Sequence, residues 1–259
     1  MLLTVDVGNT EVTTGLFQGT ELLGRWRLTT QVDRTPDEWA LVLESFVIRD
    51  GHAPAEVAAC CVASVVPGVT QSLLPALHLS FGERIGLVEA RAPLGLTLAV
   101  DEPLAMGADR IANALGALDR FPGDSVVIGF GTATTFNCIT ANRAFIGGSI
   151  MPGLRTSADQ LIRRAAKLAA TDLVAPTHAI GRTTDDNIRG GVLFGAADAA
   201  DGMVRRILAE WPTSARVQVI ATGGLAGLVA PLMTSVHAVD PDLTLHGVRV
   251  AAHALGLVP

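Results

Sequence analysis

The chain has 259 residues, enough for one large domain or two modest ones, and 49% are hydrophobic against 17% charged, so it can bury a full core and does not read as disordered. A formal net charge of −6 without any Lys/Arg-rich run argues against a nucleic-acid partner, and charges or Gly/Pro interrupt every apolar stretch short of membrane-spanning length. No basic leader precedes the first apolar run, and Cys60, Cys61 and Cys138 form no metal spacing; both suit a cytoplasmic protein with reduced thiols.

The first run, Leu3-Thr4-Val5-Asp6-Val7, reads as a strand that carries an acid to its tip and enters Gly8-Asn9-Thr10. An acid there can hold a hydrated Mg²⁺, and Gly8 has no Cβ to keep backbone N–H groups away from a phosphate. The same residue types also make an ordinary hairpin turn, and this stretch alone does not separate the two readings. Val12 to Phe17 and Glu21 to Leu28 read as the next strands, joined at Gln18-Gly19-Thr20. Thr35-Pro36-Asp37-Glu38 has the form of a capping box. It opens a helix with a broad apolar face of Trp39, Leu41, Val42, Leu43, Phe46 and Val47, and Asp50-Gly51 stops it. Val57 to Val66 is a near-continuous apolar run, as in a strand covered on both faces. Pro67 starts a helix to about Leu79, and Arg84 to Val88 is a short strand. Leu94 to Met106 reads as a loop-rich approach to Gly107-Ala108-Asp109-Arg110, after which Ile111, Ala112, Leu115 and Leu118 continue as a helix.

Phe121-Pro122-Gly123-Asp124 is the most punctuated break in the middle of the chain and divides it into domains 1–121 and 122–259. After it the opening is repeated. Ser125 to Ile128 is a strand running into Gly129-Phe130-Gly131-Thr132-Ala133-Thr134-Thr135, a second strand runs through Ile139, and a third follows the turn at Ala141-Asn142-Arg143. The two openings lie about 120 residues apart, which fits a duplicated domain. Their turns are expected to face a common cleft, the usual place for a nucleotide. Met151-Pro152-Gly153 leads into a helix with Leu161, Ile162, Ala165 and Leu168 on one side. A long helix after Gly181-Arg182-Thr183-Thr184 carries Gly191 and Gly195, small residues that allow close approach within one chain or between subunits. Val217 to Ala221 is a strand meeting Thr222-Gly223-Gly224; a helix follows, and a final amphipathic helix begins at Leu243.

The two openings, with Asp6-x-Gly8-Asn9-Thr10, Gly131-Thr132-x-x-Thr135 and Ala221-Thr222-Gly223-Gly224, resemble the sugar-kinase, actin and heat-shock-chaperone superfamily. Gly107-Ala108-Asp109-Arg110, Ile146-Gly147-Gly148, Met151-Pro152-Gly153, Gly181-Arg182-x-Thr184 and Asp240-Pro241-Asp242-Leu243-Thr244 narrow the resemblance to the type III pantothenate kinases, from Leu3 to about Leu255. The resemblance implies an α/β fold of two duplicated ribonuclease H-like (actin-like ATPase) domains, each a central mixed β-sheet flanked by helices. It implies ATP-dependent phosphorylation of the primary hydroxyl of pantothenate, the first step toward coenzyme A, by a homodimer with its substrate site near the subunit interface. ATP contacts are implied for Asp6, Val7, Gly8, Asn9, Thr10, Glu11, Val12 and Thr13, for Thr132, and for Thr222, Gly223 and Gly224 on the adenosine side. Asp6 would hold Mg²⁺ through water. Substrate contacts are implied for Gly107, Ala108, Asp109, Arg110, Thr184 and the position of Val100.

The chemistry of the residues agrees. A primary hydroxyl needs a base to take its proton as attack proceeds, and Asp109 is the expected catalytic base, with a helix cap as its structural alternative. Arg110 suits a substrate carboxylate, with a surface ion pair as its alternative. Neither a Walker A lysine motif nor Gly-x-Gly-x-x-Gly is present, which removes P-loop and dinucleotide readings. Four positions depart from the family pattern. Gly129 stands where an Asp is linked to a monovalent cation (K⁺ or NH₄⁺), Asn137 where relatives carry Asp, and Val100 where they carry a substrate-contacting Tyr. Glu11 puts a negative charge beside the first turn, where it repels ATP unless it points away or meets a cation. The departures keep two alternatives open beside a working pantothenate kinase: a nucleotide-binding regulator that has lost catalysis, and a kinase for another small hydroxyl compound.

Overall fold

Apolar and β-branched runs build the first sheet of the computed structural model, which describes residues 1–165 and 171–258. Strands β1 (Leu2–Val7), β2 (Glu11–Gln18) and β3 (Glu21–Thr29) form an antiparallel meander. Helix α1 (Pro36–Arg49) follows, with the expected capping box complete: Thr35 Oγ1 accepts from the Glu38 N–H, and Glu38 accepts from the Thr35 N–H. A 3₁₀ turn at Pro54–Glu56 trims the long apolar run to β4 (Ala59–Ser64), after which come α2 (Pro67–Phe81) and β5 (Ile85–Leu87). The sheet order is β3-β2-β1-β4-β5, with β4 parallel to both β1 and β5. It is buried on both faces. Leu3, Val5, Val7, Cys60 and Val62 pack with α1 and α2, while Leu2, Ala59, Cys61 and Ala63 face the opposite core, so the adjacent thiols point to opposite sides. The stretch read as loop contains a two-residue strand, β6 (Thr97–Leu98), and a 3₁₀ turn at Pro103–Ala105, before α3 (Ala108–Arg120).

The second half begins again with β7 (Asp124–Phe130), β8 (Ala133–Thr140) and β9 (Ala144–Pro152). Helices α4 (Leu154–Arg164) and α5 (Thr184–Ala209) come next, then β10 (Val217–Thr222), the short α6 (Ala226–Val229) and β11 (Ala238–Val239). Of the residues expected on one side of the helix after Gly153, Leu168 lies outside the described residues, and Ala165 is the cap that ends α4. The helix expected after Gly224 is a single turn, because Pro231 turns the chain into a 3₁₀ segment at Ala230–Leu232. The sheet order is β11-β10-β7-β8-β9-β6. Apart from β6, it reproduces the first sheet strand for strand: β9-β8-β7-β10-β11 answers β3-β2-β1-β4-β5. The duplication read from two similar openings therefore extends through five strands of each sheet.

Two compact units result. One holds Met1–Arg120, Arg143–Phe145 and Leu243–Pro259; the other holds Phe121–Asn142 and Ile146–Asp242. The main break adjoins the one read at Phe121, but the division is discontinuous where the sequence suggested a single cut between 121 and 122. The closing helix α7 (Leu243–Ala254) belongs with α3 because two glycines let the backbones meet. A Cβ on Gly247 would lie 1.7 Å from the Ala112 carbonyl oxygen, and one on Gly116 would lie 2.3 Å from that of Leu243. The Thr244 hydroxyl donates to Asn113 Oδ1 at 2.7 Å, and Arg249 pairs with Asp119 along the same seam. Residues 143–145 count with the first unit because Ala144 and Phe145 pair with β6. Among the described residues, no helix is long and apolar enough to cross a membrane.

Candidate active site

In the first unit, the carboxyl end of β1 places Asp6 beside Thr13 on β2 and Ala63 on β4. Its Oδ1 is closed off from solvent and has no hydrogen-bond partner among the described residues. Burial, then the nearby charges of Asp109 and Glu11, push its pKa up to about 7. The turn that follows is held from inside. The Gly8 N–H donates to the Glu11 carbonyl at 3.0 Å, the Thr30 hydroxyl donates to the Gly8 carbonyl at 2.7 Å, and the Thr30 N–H donates to the Thr10 carbonyl at 3.0 Å. Gly8 therefore uses its own N–H within the turn, while Asn9 and Thr10 are exposed. A Cβ at position 8 would come within 3.1 Å of the Glu11 carbonyl oxygen, so the turn itself favours glycine. Val7 and Val12 are fully buried, which restricts any part they play at a ligand to main-chain atoms. Glu11 is met by Arg27 at 3.6 Å, so the charge that threatened to repel ATP has a cation beside it.

The start of α3 is docked next to this turn. The Val65 N–H donates to the Val7 carbonyl at 3.0 Å, and Val65 Cγ1 lies 3.5 Å from where a Gly107 Cβ would sit. That same Cβ would be 2.6 Å from Asp109 Oδ1. Any side chain at 107 would displace the carboxylate, which explains Gly107-Ala108-Asp109 as a unit. Because α3 begins at Ala108, Asp109 sits inside its first turn rather than at the cap, and its Oδ1 accepts from the Arg110 N–H at 2.9 Å. The cap reading of Asp109 therefore does not hold: its carboxylate is engaged by the N–H of the next residue within the first turn. Burial raises its pKa, and the Arg110 N–H and guanidinium partly offset that. The Arg110 guanidinium lies over the fully buried Phe145 ring, 5.2 Å from its centroid. The Phe145 carbonyl also accepts from the Ala99 N–H at 2.9 Å, which ties the segment bearing Val100 to the residue that carries Arg110.

In the second unit, the ends of β7 and β10 lie side by side, with Gly129 paired to Thr222 on β10 and to Thr135 on β8. By its place in the duplicated sheet, Gly129 corresponds to Asp6; the first unit has a carboxylate there and the second has none. The exposed Thr132 belongs to the turn after β7 and is fixed to α4. Its carbonyl accepts from the Gly153 N–H at 3.1 Å and the Thr156 hydroxyl at 2.7 Å. Thr222 is buried, and its hydroxyl has no hydrogen-bond partner among the described residues. Gly223 adopts φ 94°, and a Cβ there would lie 2.6 Å from the Phe130 carbonyl oxygen, so this turn needs glycine on two counts. Asn137 is fully buried on β8. Thr184 opens α5 and lines an apolar groove of about 610 Å³ with Met151, Leu154, Ile188, Gly191 and Gly195.

Sequence reading missed Thr30, Arg27 and Phe145. Each acts through a partner distant in the chain, and no local motif marks it.

A family model described as type III pantothenate kinase matches residues 2–206. A type III pantothenate kinase of Roseiflexus castenholzii is 43% identical over 250 residues, covering 96% of this chain and 97% of its own. That of Thermomicrobium roseum is 42% identical over 251 residues, covering 97% and 96%. Among solved structures, the activator of 2-hydroxyisocaproyl-CoA dehydratase from Clostridium difficile aligns with a TM-score of 0.56 at 11% identity, covering 98% of this chain and 94% of its own. At that identity it speaks for the fold alone.

Proposed function

The chain belongs to the type III pantothenate kinases, and from that premise we infer how its residues divide the ATP-dependent phosphorylation of pantothenate. The observation that carries the reading is geometric: Val65 bonds to the strand end next to Asp6 and packs against Gly107 at the start of α3, which sets an acid at a strand tip beside a helix start bearing Asp109. A carboxylate oxygen without a partner, its pKa raised by burial and then by neighbouring carboxylates, fits a divalent cation held through water. When bound, that ion supplies charge compensation for the outer phosphates.

Asn9 and Thr10 offer short donors to the phosphates beside Asp6, and Thr132 is a further short donor for a phosphate. Thr222, Gly223 and Gly224 shape the adenosine side. Arg110, supported by Phe145, receives the carboxylate of pantothenate. Asp109 takes the proton of the primary hydroxyl through the oxygen not used by the Arg110 N–H. Position 129 offers only main-chain atoms, so dependence on K⁺ or NH₄⁺ is weak. The regulator reading is not favoured by relatives that are pantothenate kinases over nearly their full length.

The active form is a cytoplasmic homodimer in this proposal. A Cβ on Gly191 or Gly195 would meet nothing within 4 Å, so packing within the chain does not account for these glycines. They line the groove headed by Thr184, and a second copy would cover it.

An ADP-release assay with pantothenate tests the assignment. Asp109→Asn is expected to lower kcat at least about 100-fold while the protein still binds ATP. Unchanged turnover would remove Asp109 from the chemistry. The same assay in Na⁺, K⁺ and NH₄⁺ reads the cation dependence, and strong activation by K⁺ would contradict the reading of Gly129.

A further inference from the structure

Thr30 lies outside every motif of the family resemblance, yet it holds the phosphate turn at two places. Its hydroxyl donates to the Gly8 carbonyl at 2.7 Å and its N–H donates to the Thr10 carbonyl at 3.0 Å. No peptide bond among the described residues is cis, and in a planar trans peptide the C=O and the following N–H point in opposite directions. Drawing the Gly8 carbonyl toward Thr30 therefore turns the Asn9 N–H away from Thr30. The second anchor holds the far end of the turn, so the peptide planes between the two cannot rotate freely. The Gly8 N–H is already committed to Glu11, which makes the orientation of the next donor matter more.

We propose that Thr30 is a positioning residue for nucleotide binding: its hydroxyl sets the Gly8–Asn9 peptide plane so that the Asn9 N–H is presented to a phosphate oxygen. The inference rests on the reading of residues 8–10 as the phosphate turn. Preorganised donors bind without a reorganisation cost, and Thr30 provides that order from the strand-to-helix connection after β3. Sequence places it 20 residues beyond Thr10, and only the β2–β3 pairing returns it to the turn.

Thr30→Val removes the hydroxyl and keeps the shape, while the backbone bond to Thr10 remains. The KM for ATP is expected to rise about five-fold, in the range one hydrogen bond supplies, with the KM for pantothenate within about two-fold of the parent. Thr30→Ser should restore the ATP value. A purely structural role predicts instead that both KM values and the melting temperature move together, or that Ser fails as Val does; either result would overturn the proposal. Thr30→Ala also lacks the hydroxyl and replaces the Val variant should that one not fold. Backbone amide NMR of the full chain, titrated with Mg²⁺ and the β,γ-imido analogue of ATP, separates the two levels. A parent Asn9 amide that does not respond sinks the phosphate-turn reading. An Asn9 amide that responds equally in the parent and in Thr30→Val sinks the role of Thr30 alone.

Discussion

Asp6 and Asp109 show how one turn stores a cost that a ligand can relieve. Burial raises both, and Asp109 and Glu11 raise Asp6 further, to about 7. For a carboxyl whose folded pKa exceeds its unfolded value of 3.8, the native state binds the proton more tightly. Stability from this group is then fully present below pH 3.8, declines as pH rises toward about 7, and is lost above it. Asp6→Asn is expected to raise the melting temperature of the nucleotide-free protein by several degrees at pH 8 and by little at about pH 4, while abolishing turnover. Thermal scans at the two pH values check the stability arm; equal shifts at both would deny the burial of charge at this position. For the base role proposed for Asp109, the raised pKa predicts that the acid limb of kcat/KM lies above the ordinary carboxylate range, since a base works deprotonated.

Elements explain where glycine is compulsory and where it is merely present. Between α3 and α7, Gly247 and Gly116 have no room for a side chain. Gly247→Ala must push backbone apart and is expected to cost about 1–3 kcal/mol or more, seen as a melting temperature lower by several degrees. Gly227→Ala on α6 meets open space and serves as the neutral control in the same denaturation experiment. If both alanines were equally tolerated, the close contact that binds the closing helix to the first unit would be wrong.

At the scale of the whole molecule, the duplication and the proposed homodimer each yield a consequence that can be measured. The two sheets share strand order, but their corresponding strand tips differ: Asp6 in one, Gly129 in the other. At this pair of positions only the first unit carries an acid. The groove along α4 and α5 is apolar and glycine-bearing. Gly195→Arg is expected to yield monomers by analytical ultracentrifugation and to raise the KM for pantothenate, with the melting temperature near that of the parent. A dimer that persists would place the subunit contact elsewhere.

The sequence by itself determined the strand-turn-strand openings, the capping box at Thr35, the acids at 6 and 109 and the family they compose, because each is written in neighbouring residues with local geometric consequences. Tertiary structure alone decided what those residues meet. Arg27 reached Glu11 and Thr30 reached Gly8 across strand pairing, Phe145 came under Arg110, and α7 returned to α3 through two missing side chains. These contacts join residues far apart in the chain, where no periodicity or spacing rule operates, so only the folded backbone could reveal them.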